Sequence, residues 1–167
     1  MNEIIRMSGI EDYSVVNAKG ITQVLFCCIC YHDCAGCHNP QSHYYKNGYN
    51  VTVGDLYNKV VANKNKNVTF SGGDPMFQAK AFTKLAQLIK NNTDKTIWCY
   101  TGFTYKEIMN GDNKDRVELL KLCDVLVDGK FEEDKKDLSL KFRGSSNQRI
   151  LDIPKSLSQN KPVLYDI

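Results

Sequence analysis

Residues 67–75, Asn-Val-Thr-Phe-Ser-Gly-Gly-Asp-Pro, set a short β-branched and aromatic run against two glycines, an aspartate and a proline. The run has the composition of a strand, and the glycines end it. Asp74 then stands where a helix N-cap belongs, and Pro75 at the first helical position. Phe77, Phe82, Leu85, Leu88 and Ile89 follow at helical spacing as an apolar stripe. The stretch therefore reads as a strand, a tight turn and an amphipathic helix.

The flanking segments repeat that unit. Ile21 to Cys28 (ITQVLFCC) reads as an earlier strand, and a loop rich in Cys, His and Gly runs from Ile29 to about Asn50. After Thr52, with Asp55 three residues on as an approximate capping box, Leu56, Val60 and Val61 have helical spacing. Lys95 to Tyr100 (KTIWCY) and Asp124 to Val127 (DVLV) read as two further strands, with short helices from Thr104 and around Val117 to Leu122 between them. The alternation predicts an α/β fold with a mostly parallel sheet and helical crossovers. In such sheets ligands sit beyond the carboxyl ends of the strands. The cysteine loop, Gly72-Gly73-Asp74, Thr101-Gly102 and Asp128-Gly129 each follow a strand, so the candidate chemistry collects on one edge.

The 167 residues fit one domain, 1–167. Hydrophobic content of 42% and charged content of 25% are those of an ordinary globular chain and exclude disorder, collagen and coiled coil. With 22 Lys and Arg against 19 Asp and Glu the net charge is +3, and the pI of 8.4 is short of a dedicated nucleic-acid binder, so no direct nucleic-acid partner is expected. The N-terminus lacks the apolar core of a signal peptide and no stretch nears ~18 apolar residues, which predicts a soluble cytoplasmic protein without a membrane partner. Seven cysteines, five of them within 27–37, point to a metal rather than to disulfides.

Cys30, Cys34 and Cys37 have the spacing C-x3-C-x2-C, three thiolates that can meet one face of an iron-sulfur cube and leave one iron open. Adding Cys27 gives four thiolates, enough for a closed zinc or electron-transfer site, and a Cys3His zinc site with His32 or His38 is a further variant. Cys27 lies in a run with the look of a buried strand, so spacing favours the open site while leaving iron-sulfur against zinc undecided. Cys27, Cys28, Cys99 and Cys123 read as small buried hydrophobes, and His32, His38 and His43 as loop residues rather than ligands. The glycines of GGDP serve a turn, and they also let backbone carbonyls accept hydrogen bonds from an ammonium group. Tyr100-Thr101-Gly102-Phe103 reads as a strand end that would also suit a nucleoside. Lys130 to Lys141 reads as a solvated loop. Phe142 to Arg149 (FRGSSNQR) is a dense donor set, with Arg143 and Arg149 expected to close over the site or meet a partner.

The cysteine loop after the first strand and the GGDP turn after the second resemble the radical S-adenosylmethionine superfamily. DYSVVNAKGITQVLF, CAGCHN, FSGGDPM, WCYTGF, DVLVDGKF and LKFRGSSNQRI, spanning about Asp12 to Asp152, further resemble the activating proteins of anaerobic ribonucleoside-triphosphate reductases, which are glycyl-radical activating enzymes. The resemblance implies a 4Fe-4S cluster on Cys30, Cys34 and Cys37, with S-adenosylmethionine chelating the fourth iron. It places Gly36, Cys37 and His38 against the adenosine and Gly72, Gly73 and Asp74 at the methionine end. An electron from a flavodoxin or ferredoxin-type reductant would yield a 5'-deoxyadenosyl radical that takes hydrogen from a glycine of the reductase large subunit. No catalytic residue is implied beyond the cluster and its ligands, and a homodimer is left open. The implied fold is a shortened, open radical-SAM-type (β/α) partial barrel with the reductase over its exposed side. Gly36 stands where the superfamily often has an aromatic residue, Asn17 to Thr22 replace a Gly-Pro-Gly-Ile-Arg-like stretch, and Cys28-Ile29 replace a small Ser-Gly pair. The alternatives are an activase of another glycyl-radical enzyme and a non-catalytic zinc or iron-sulfur module on Cys27, Cys30, Cys34 and Cys37.

Overall fold

A computed structural model describes residues 2–167. In chain order the strands and helices are β1 (Ile4–Ser14), β2 (Thr22–Cys27), β3 (Tyr49–Thr52), α1 (Val53–Ala62), β4 (Asn67–Gly72), α2 (Ala79–Asn92), β5 (Thr96–Tyr100), α3 (Tyr105–Met109), α4 (Lys114–Leu122), β6 (Val125–Asp128), β7 (Arg149–Asp152) and α5 (Ile153–Gln159). They build one open seven-stranded sheet in the order β3-β1-β2-β4-β5-β6-β7. The ladder β2-β4-β5-β6 is parallel throughout, as the alternation predicts.

The flanks add antiparallel neighbours to that parallel core. β1 pairs antiparallel with both β2 and β3, and β7 pairs antiparallel with β6, so the sheet is mixed. β1 escaped notice because Arg6, Ser8, Gly9 and Glu11 interrupt it, yet Ile5 and Met7 alternate into the core as a half-buried strand should. β3 and β7 span four residues each and offer too few positions for a pattern.

Local signals set the helix starts. Thr52 Oγ1 accepts from Asp55 N at 3.1 Å, and Thr104 and Glu107 form a reciprocal capping box at α3. Asp74 Oδ1 accepts from Met76 N at 2.9 Å, but what it caps is a 3-10 turn, Pro75–Gln78, and α2 begins only at Ala79. Phe82, Leu85 and Ile89 of the expected stripe are fully buried, whereas Phe77 belongs to the turn.

Alternation along the strands separates two apolar layers. Leu25, Phe70, Ile97 and Leu126 meet Leu56, Phe82, Leu85 and Leu119 of the helices on one face. On the other face Trp98, Val125, Val127 and Ile150 form a smaller cluster, against which Tyr100, Phe142 and Tyr165 pack. The Trp98 indole meets the Phe142 and Tyr165 rings edge-on at 5.6 and 5.4 Å between centroids. Among the described residues no helix is long and apolar enough to cross a membrane.

Arg149, expected over the site or on a partner, is committed to the sheet. It pairs with Asp128 across the β6–β7 ladder, Nε donating to Oδ1 at 3.0 Å and Nη2 to Oδ2 at 2.6 Å. Asp128 is 1% exposed and also accepts from Tyr105 N at 2.8 Å, so one carboxylate joins the edge strand to the start of α3. Removing the guanidinium leaves a buried carboxylate short of donors. Arg149→Ala is therefore expected to lower stability by about 1.5–3 kcal/mol in urea unfolding, whereas a change within about 0.5 kcal/mol would show the pair to be dispensable.

Candidate functional site

The parallel register sets Cys27 opposite Gly72, so β2 and β4 end side by side. The chain leaving β2 is then stitched to its neighbours. Cys27 O accepts from Gly73 N at 2.7 Å, Ile29 O from Asp74 N at 2.9 Å, and Ser42 O from Ile29 N at 2.7 Å. The Gln78 amide adds a second clamp, donating to Arg6 O and Cys28 O and accepting from Arg6 N. Ile29 sits at φ 78, a costly conformation for a β-branched residue, and it turns the loop out of the strand direction. Gly72 has φ 108, and a Cβ on Gly73 would stand 2.5 Å from Ile29 O. The two glycines thus permit close approach of the two strand exits.

Beyond those exits lies a cavity of about 1300 Å³. Cys30, Cys34 and Cys37 all line it, each partly exposed. Gly72, Gly73 and Asp74 line it from the β4 turn, Tyr100 to Gly102 from β5, and Val127 and Gly129 from β6. Cys27 and Cys28 are fully buried and do not reach it, and Cys27 lies in the main core with Cys99 and Cys123. The fold therefore lines one cavity with Cys30, Cys34 and Cys37 and leaves Cys27 out of it. Among the described residues no three His, Cys, Asp or Glu side chains gather closely enough to hold a metal ion. Burial pushes the Cys30 thiol up to about 12 and raises that of Cys34, so a metal bound here must displace their protons.

The three histidines lie in the loop, as expected, and each ring has a contact there. His32 Nε2 lies 2.6 Å from Asp74 Oδ2, His43 Nε2 lies 3.3 Å from Cys37 Sγ, and the His38 ring packs on Phe131 at 5.1 Å. Asp74, expected at the methionine end of a ligand, is 1% exposed, with both carboxylate oxygens already partnered. Arg143 donates Nη1 to Gln148 O at 2.7 Å, while its Nε is buried without a partner. The Tyr100 hydroxyl is likewise buried and unpartnered, and both residues line the cavity. Both groups are free to meet a polar partner. Phe26, Val15 and Val16 also line the cavity and escaped the sequence reading; for Phe26 the alternation along β2 was the available signal.

The fold is α/β, and it lines one cavity at its strand ends with the three thiols of Cys30, Cys34 and Cys37. Residues 16–151 match the family model of the 4Fe-4S single cluster domain, which names the class. The chain is 37% identical over 145 residues to the anaerobic ribonucleoside-triphosphate reductase-activating protein of Vibrio cholerae, covering 81% of this chain and 90% of that one. It is 35% identical over 144 residues to the protein of the same name from Escherichia coli K12, covering 80% and 90%. For that of Enterobacteria phage T4 the identity is 33% over 141 residues, covering 81% and 86%. The chain belongs to the family of anaerobic ribonucleoside-triphosphate reductase-activating proteins, with its 4Fe-4S cluster domain.

The strand-exit geometry is testable without any ligand. Gly73→Ala is expected to destabilise the protein by about 1–3 kcal/mol in urea unfolding, the cost of overpacking. Gly9→Ala is the matched control, because a Cβ there meets nothing within 4 Å. Equal effects of the two substitutions would contradict the close approach.

Proposed function

We propose that this chain cleaves S-adenosylmethionine reductively at a 4Fe-4S cluster and installs a glycyl radical on the anaerobic ribonucleoside-triphosphate reductase. The observation that carries the reading is the single cavity lined by Cys30, Cys34, Cys37 and the GGDP turn, in a chain whose relatives are reductase-activating proteins. When bound, a cluster held by Cys30, Cys34 and Cys37 would supply the electron for reductive cleavage of S-adenosylmethionine to methionine and a 5'-deoxyadenosyl radical, the species that would take hydrogen from a glycine of the reductase.

The chain's own part is to bind, orient and exclude water. Cys30, Cys34 and Cys37 would hold three irons and leave one position for the substrate's amino and carboxylate groups. Gly72 and Gly73 would offer carbonyls to the ammonium, and Cys37 and His38, which line the cavity, would meet the adenosine; Gly36, expected beside them, is not among the lining residues and faces Glu133. Arg143 Nε and the Tyr100 hydroxyl, both lacking partners, suit the polar groups of such a ligand. Phe26, Val127 and Phe142 supply an apolar lining that keeps a radical from water. No general acid or base is needed. Val15, Val16 and Leu138 line the cavity yet are 68%, 68% and 85% exposed, which fits an open partial barrel completed by the reductase. A cytoplasmic flavodoxin or ferredoxin would deliver the electron.

Single cysteine replacements test this directly. Cys30→Ala, Cys34→Ala and Cys37→Ala are each expected to abolish S-adenosylmethionine cleavage, whereas Cys27→Ala should keep its cluster. The measurement is electron paramagnetic resonance of the anaerobically reconstituted, dithionite-reduced chain with and without S-adenosylmethionine. A cluster lost in Cys27→Ala, or a signal indifferent to the ligand, would sink the open-site reading.

A further inference from the structure

His32 stands two residues from Cys30 and two from Cys34, and the chemistry above gives it no task. A polar ring in a solvated loop would point outward. This one is buried, with its side chain 6% exposed and Nε2 donating to Asp74 Oδ2 at 2.6 Å. The same oxygen accepts from Thr101 Oγ1 and from Gly102 N, each at 2.9 Å, and Oδ1 accepts from Met76 N at 2.9 Å. One carboxylate therefore ties together the loop after β2, the turn after β4 and the turn after β5.

The surroundings are shaped for the ring. His32 packs against Phe77 at 5.0 Å and Phe103 at 4.6 Å between centroids, and Arg116 lies over those two rings at 5.2 and 4.3 Å. Gly102 makes the room, since a Cβ there would come within 2.5 Å of His32 Cδ2. The loop itself has little of its own to hold it. No helix or strand falls between Cys27 and Pro40, and within the loop Cys37 N donates to Cys34 O at 3.2 Å. Its shape depends on side chains that reach the strand ends.

We propose that His32 is a positioning residue, clamped to Asp74 so that the loop carrying Cys30, Cys34 and Cys37 and the turns after β4 and β5 form one rigid edge. The inference rests on the proposed function for the identity of what the loop holds. Groups that orient metal ligands from outside the coordination sphere set how tightly the metal is kept. A loop already fixed before binding also loses less freedom on binding.

Two variants of the full chain separate the hydrogen bond from the packing. His32→Phe keeps a ring without a donor, and His32→Gln keeps a donor without a ring. After anaerobic loading with iron and sulfide, His32→Phe is expected to lose iron to a chelator about 10–100-fold faster than the parent. It should also need proportionately more S-adenosylmethionine to change the resonance signal, with His32→Gln close to the parent in both. Unchanged iron loss in both variants overturns the proposal, and equal acceleration in both assigns the effect to packing and overturns it as well. If the parent takes up no cluster, the functional reading fails by itself. The clamp is then read on the metal-free chain from amide exchange across residues 30–38, where faster exchange in His32→Phe supports it and unchanged exchange overturns it.

Discussion

The parallel pairing of β2 with β4 is the constraint on which the rest depends. It brings Cys27 and Gly72 to the same level, so that two chains must leave the sheet through one narrow gap. Only a residue without a side chain tolerates that approach, and the two glycines follow from it. Once they are in place, the backbone of the β4 turn donates to Cys27 O and Ile29 O and determines where the cysteine loop begins. The strained φ of Ile29 is held there by surrounding bonds that over-determine it.

The two faces of the sheet then divide the labour. The helix-covered face carries the large apolar cluster that stabilises the domain, and Cys27, Cys99 and Cys123 belong to it as packing. The opposite face is covered by the smaller cluster around Trp98 and by the segment 137–148, and it leaves a cavity at the strand ends. A cavity of about 1300 Å³ exceeds the roughly 300–1,000 Å³ of a small-molecule pocket. Room for a cluster, a nucleoside and an inserted segment of a partner chain agrees with the activating function proposed for the family member described here.

Much of this was legible from residue order. The four parallel strands, the helices between them apart from the later start of α2 at Ala79, the caps at Thr52 and Thr104, and the burial of Cys27, Cys28, Cys99 and Cys123 all depend on neighbours within a few positions, and each was found where the pattern put it. β1, β3 and β7 were not legible, because a short or interrupted strand acquires its identity from the strand beside it. The partner of His32 was not legible for a related reason. A histidine in a polar loop carries no mark of the carboxylate 42 residues away that buries it.

By itself the sequence determined the spacing of the three cysteines, the glycine turn and the β/α alternation that delivers both to one edge of a sheet. Those are local properties, set by side-chain chemistry and by the periods of helix and strand. The tertiary structure decided which cysteines face the cavity, that Arg149 is spent on Asp128 while Arg143 Nε is left free, and that His32 joins three strand ends through Asp74. The physical reason is that a buried polar group must find a partner, and folding draws that partner from whatever distant residue the packing brings within reach.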